Sequence, residues 1–146
     1  MPDAAVNLLA RLISRLELGE AASKVLAVLV LSEHPLSQLE LVKATGYSLS
    51  QVSSALAFLT GLGFVSFVRS GRKKLYYSEK NITDLVGEIA RRMLEQDIKP
   101  LIRELEKMPE KRERIRLLLD DCNLAAEKLQ KSFLPGIVTG KKLKIL

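Results

Sequence analysis

The sequence predicts a mainly helical fold with one small β-hairpin, an α+β chain. Three observations predict it. Two helix-start signatures, Ser37 with Glu40 and Ser48 with Gln51, flank a glycine at 46. Each places an oxygen-bearing cap three residues before a side chain that can reach back to the cap, the pattern of a capping box. Next, Phe64–Val68 and Leu75–Tyr77 are rich in aromatic and β-branched residues and enclose Arg69-Ser-Gly-Arg-Lys-Lys74; two such runs joined by a glycine-containing segment read as a hairpin. Beyond residue 81, apolar residues recur at helical spacing almost to the C-terminus.

In chain order, residues 3–18 read as a helix with Asp3 as cap; Val6, Leu9, Leu12, Ile13 and Leu16 form one apolar stripe, and Gly19 stops it. Residues 20–33 form a second helix. It is apolar almost all round, from Val25 to Leu31, so it is expected at the centre of the core. His34-Pro35 ends it, because proline disfavours helical geometry in the residue before it. A short helix starts at the Ser37 cap and runs to Ala44. Thr45-Gly46-Tyr47 breaks it, with glycine free to adopt the positive φ of a tight turn. The next helix, 48–61, turns Val52, Ala55, Leu56 and Leu59 inward and Ser50, Ser53, Ser54 and Ala57 outward. After the hairpin, whose turn is expected at Ser70-Gly71, Asn81 caps a long helix carrying Ile82, Leu85, Val86, Ile89, Met93 and Leu94. Pro100 must kink that helix or begin a new one. A last helix runs from Glu110 to about Ser132 with Ile115, Leu118, Leu119, Cys122, Ala126 and Leu129 on its stripe; Pro135-Gly136 breaks it and a lysine-bearing tail follows.

Two helices joined by a short glycine turn make a helix-turn-helix, whose second helix enters the DNA major groove. With the hairpin as a wing, the stretch resembles the winged-helix domain of the MarR and GbsR regulator families, with ArsR and TrmB regulators as cousins. The resemblance lies in Pro35-Leu36-Ser37, Gly46-Tyr47-Ser48, Val52-Ser53, Leu56, Leu62-Gly63-Phe64-Val65, Arg72-Lys73-Lys74 and Tyr76-Tyr77, and covers roughly residues 20–80. It implies a regulator that dimerises through its N- and C-terminal helices, with an unidentified small-molecule effector as a further partner. The expected organisation is a dimerisation helix at 1–19, the DNA-binding domain at 20–80, dimerisation helices at 81–134 and a basic tail at 135–146.

Charge supports a nucleic-acid partner. Of the net charge of +6, residues 35–80 contribute +4 and the tail +3, while 1–34 carry −1 and 81–132 balance to zero. The excess sits on the reading unit and the tail, as expected of a nucleic-acid binder. A single histidine and a single cysteine far apart in sequence offer no metal site of the usual nitrogen and sulfur kind. His34 reads as a turn residue and Cys122 as a small buried hydrophobe. Gly61-Leu-Gly63 lacks the lysine and preceding strand of a phosphate loop, and Asp120-Asp121 point apart on a helix, so the inventory argues against an enzyme, and no cofactor is expected. The longest strongly apolar segment, Val25–Leu31, is too short to span a membrane. No basic region followed by an apolar core opens the chain, and the lone cysteine suits a reducing compartment, so a cytoplasmic protein is expected.

The residues expected to contact double-stranded DNA are Ser37, Ser48, Ser50, Gln51, Ser53 and Ser54 on the two motif helices and Arg69, Arg72, Lys73 and Lys74 on the wing. Ser48 doubles as a cap. Without an arginine on the reading helix, shape and phosphate contacts should outweigh base-specific hydrogen bonding. The surplus apolar stripes of the terminal helices are expected to meet a second copy of the chain; the alternative is that they fold back on their own domain. A competing reading of the whole is a winged-helix interaction module that docks on proteins without reading DNA sequence.

Overall fold

The structure, a computed structural model, describes residues 3–108 and 113–133. It divides into two compact units, Met1–Leu85 and Val86–Leu146. The first comprises α1 (Asp3–Ile13), a 3₁₀ turn (Ser14–Leu16), α2 (Glu20–Leu31), α3 (Gln38–Thr45), α4 (Leu49–Gly61), β1 (Val65–Ser70) and β2 (Lys73–Ser78), and takes in the start of α5 (Ile82–Met93). The second holds the rest of α5, a π-helical turn (Leu94–Ile98), α6 (Lys99–Lys107) and α7 (Glu113–Phe133). The expected basic tail lies outside the described residues.

Helix α2 is the core of the first unit. Val25, Leu26, Ala27 and Val28 are wholly buried, as a helix apolar on every side must be, and α1, α3, α4 and β2 pack around it. The first helix departs from expectation. It stops at Ile13, tightens into the 3₁₀ turn, and ends on Glu17 in a left-handed conformation (φ 55°) rather than at Gly19, whose φ of 95° serves the start of α2. More consequential is where its stripe goes. Val6, Leu9, Ile13 and Leu16 are buried against the chain itself, because α1 packs on α2. That stripe is thus covered within the chain, while Leu8 of the same helix stays 65% exposed. Leu85, expected on a dimer-facing stripe, is also fully buried.

The hairpin pairs Val65 with Ser78 through to Ser70 with Lys73 in antiparallel register. Its two-residue loop is Gly71-Arg72, one position later than expected. Positive φ at the first loop position (64°) and not at the second is the pattern of a type II′ turn. Leu36 adds a one-residue third strand: its N–H donates to the Tyr76 carbonyl at 2.8 Å and its carbonyl accepts from the Tyr76 N–H at 2.7 Å. That bridge ties the entrance of α3 to the wing.

In the second unit, the chain stays helical into Pro100, which sits in the first turn of α6. The π turn at Leu94–Ile98 lies where a regular ladder would meet the proline ring. Met108 is extended (ψ 127°), as the residue before Pro109 should be. Helices α6 and α7 pack on each other through half-buried Ile102, Leu105, Ile115, Leu119, Cys122, Ala126 and Leu129, and neither contains a fully buried residue. Leu118, expected on this stripe, is 37% exposed, and Leu101, Leu117, Leu124 and Phe133 are more exposed still.

Candidate nucleic-acid interface

Local chemistry fixes both motif helices at their N-termini. The Ser37 hydroxyl accepts from the Glu40 N–H at 3.2 Å while Glu40 Oε1 accepts from the Ser37 N–H at 3.0 Å. The same box closes on α4: Ser48 Oγ accepts from the Gln51 N–H at 3.1 Å and Gln51 Oε1 from the Ser48 N–H at 3.0 Å. Each box satisfies two backbone groups that the first turn would otherwise leave open. Between the helices, Gly46 takes the left-handed cap (φ 79°). Thr45, expected to break α3, is its last residue. Its buried hydroxyl donates to the Leu41 carbonyl at 2.7 Å and accepts from the Tyr47 N–H, so the tight turn leaves this hydroxyl with partners on both sides.

Helix α4 divides as its periodicity requires. Val52, Ala55, Leu56 and Leu59 are buried; Ser50, Gln51, Ser53, Ser54 and Ala57 are exposed. Ser48 is exposed at the cap and Ser37 is half-buried. The two caps and Gln51 are thus already engaged in holding the helices, and Gln51 keeps its amide N–H groups for a partner. Ser50, Ser53 and Ser54 are the exposed hydroxyls of the face. Sequence periodicity alone passed over Phe58, which is 47% exposed beside Ser54 and Ala57.

All four wing cations are exposed, with Arg72 in the loop. Arg69 and Lys74 face each other across the strands and both lie over the Phe67 ring, at 5.9 and 4.6 Å from its centroid. The aromatic face holds their stems while the charges stay in water. Lys73 pairs with Ser70 and so projects from the opposite face of the hairpin. Of the two tyrosines, Tyr76 is buried against the Phe67 ring (5.7 Å) and Tyr77 is half-buried. A cleft of about 380 Å³ lies between the start of α3 and the wing, lined by Ser37, Gln38, Leu39, Arg72, Lys73 and Lys74 with Tyr76. It brings Ser37 together with three of the wing cations. Nearby, the Ser37 backbone N–H holds the Glu40 carboxylate below its ordinary range, helped by the Ser37 hydroxyl and by His34 and Lys73.

Two helices in a capped tight turn, followed by a cationic hairpin tied back to the first helix, decide the fold. The chain carries a winged helix-turn-helix domain. Residues 8–70 match the RNA polymerase III subunit RPC82 helix-turn-helix domain. The crystal structure of a transcriptional regulator aligns with 96% of this chain and 100% of its own at 19% identity, with a TM-score of 0.55. At that identity the likeness is one of fold. No curated protein matches the chain. Among the described residues no helix is long and apolar enough to cross a membrane, and no cluster of three or more metal-ligating side chains occurs.

Proposed function

We propose that this chain is a non-enzymatic, sequence-reading DNA-binding regulator of transcription, of the kind found in the MarR and GbsR families, working in the cytoplasm as a homodimer. Helix α4 enters the major groove and the wing lies along the adjacent phosphates or in the minor groove. The observation that carries the reading is the pairing of an exposed, uncharged α4 face with four exposed cations on the hairpin. Small hydroxyl side chains allow close approach to base edges, and the cations supply the sequence-independent attraction. Ser50, Ser53 and Ser54 are the candidate base and phosphate contacts on α4, and Arg69, Arg72, Lys73 and Lys74 those on the wing.

The dimer rests on the second unit alone, since the α1 stripe is already covered. Leu101, Leu117, Leu124 and Phe133 are between 45% and 57% exposed on α6 and α7, more large apolar surface than a short helical hairpin ordinarily leaves in water. A two-fold partner would bury it on both copies. An effector bound between subunits belongs to the same reading.

The second reading is an interaction module that docks on proteins, and the matched polymerase-subunit domain fits either reading. Electrophoretic mobility shift with duplex DNA from the chain's own promoter separates the two. The regulator shifts that DNA, and Ser53→Glu abolishes the shift while leaving the fold intact. A variant that shifts DNA like the parent would remove α4 from the groove.

A further inference from the structure

The α4 face is unusual in what it lacks. From Leu49 to Gly61 it contains no arginine, lysine, asparagine or acidic residue, and its one glutamine has its oxygen in the cap. The bidentate pairings that read guanine through arginine or lysine, and adenine through asparagine, are therefore closed to it. Beside its serine hydroxyls it presents an apolar pair. Ala57 is exposed, and Phe58 stands beside it with 47% of its surface in water although α4 has a buried face to offer. Ser54 lies one turn before both, so the three are neighbours on the helix surface.

In the major groove, the one apolar feature of a base edge is the thymine 5-methyl group, and alanine and phenylalanine are side chains that meet it. The cationic wing makes a polyanion the partner that charge favours, while the uncharged helix face adds no competing interaction. We infer that Ala57 and Phe58 select thymine methyl groups, so that the chain prefers A·T-rich major-groove sites through apolar contact rather than hydrogen-bond readout. The inference rests on the DNA-binding reading above and names the base it reads.

The test compares two alternating duplexes of equal length at one salt concentration, one of dA and dT, the other of dA and dU. They have the same phosphates and the same hydrogen-bonding edges and differ by the methyl group alone. Fluorescence anisotropy should show tighter binding to the thymine duplex, by about fourfold for each methyl group buried. In Phe58→Ser and Ala57→Ser the ratio of the two affinities should fall towards one; Ala57 is at the surface, so that variant keeps the fold even if loss of Phe58 disturbs it. Equal affinity of the parent chain for the two duplexes overturns the inference and leaves DNA binding standing. A ratio that survives both substitutions overturns the assignment to these residues. Absence of binding to either duplex at low salt removes the DNA reading and the inference together.

Discussion

Substituting Ser48 by alanine should unlock the reading helix at its base. Ser48 Oγ is the acceptor for the Gln51 N–H at 3.1 Å, and alanine offers none. The reciprocal bond from the Ser48 N–H to Gln51 Oε1 depends on the same closed geometry and loosens with it. The site is exposed, so water replaces part of what is removed, and loss of such a cap costs about 1 kcal/mol, within a range of about 0.5–2. For a domain of this size that lowers the melting temperature by about 4–8 °C. Ser54→Ala is the matched control. It lies exposed in the middle of the same helix and caps nothing, and alanine is the better helix former there, so it should be neutral or slightly stabilising. Thermal unfolding followed by far-ultraviolet circular dichroism measures both. DNA affinity of Ser48→Ala should also fall, because a frayed first turn no longer presents Ser50 in a fixed position. A Ser48→Ala chain that melts with the parent, or no lower than Ser54→Ala, would refute the claim that this box sets the start of α4.

Three further outcomes are expected. Arg72→Ala, at the wing tip, should weaken binding to every duplex alike and make the salt slope shallower by about 0.9 for each phosphate that Arg72 neutralises, measured by anisotropy titration at several salt concentrations. Glu40 should shape the acid limb of stability. Its folded-state carboxyl is held below the ordinary value of 4.5, so its contribution is present above that value and is lost as pH falls through the lowered one. Glu40→Gln should therefore flatten the loss of melting temperature between about pH 5 and about pH 3. Leu124→Asp, at a position 48% exposed within one chain, should leave the helical content unchanged and shift the mass in sedimentation equilibrium from dimer to monomer, since a dimer interface would bury an unpaired charge.

The helix-turn-helix was legible because its determinants are local. Ser37 with Glu40, Ser48 with Gln51, and Asn81, whose side chain accepts from the Asp84 N–H at 2.8 Å, each announce a helix start within four residues. The inward set of α4 followed from spacing alone. Features that depend on what meets a residue from elsewhere were not legible. Leu36 forms a strand of one residue, too short for any alternation to mark, and only its pairing with Tyr76 defines it. Periodicity told that α1 buries a face and was silent on what covers it; α2 of the same chain does. Pro100 announced an interruption, but its relief through a π turn just before it depends on backbone geometry that composition does not encode. In the candidate interface, Gln51 reads from the sequence both as cap partner and as DNA contact, and its side-chain oxygen is in the cap. Phe58 has the hydropathy of a core residue, and only its place on the helix circumference reveals that it faces water.

The central claim, that the cationic wing and the α4 face together bind duplex DNA, is tested most directly by the salt dependence of duplex affinity. The logarithm of the association constant should fall linearly with the logarithm of salt concentration, with a slope of about −3.6 if a dimer neutralises about four phosphates. A chain that binds no duplex at low salt, or whose affinity is indifferent to salt, would contradict it.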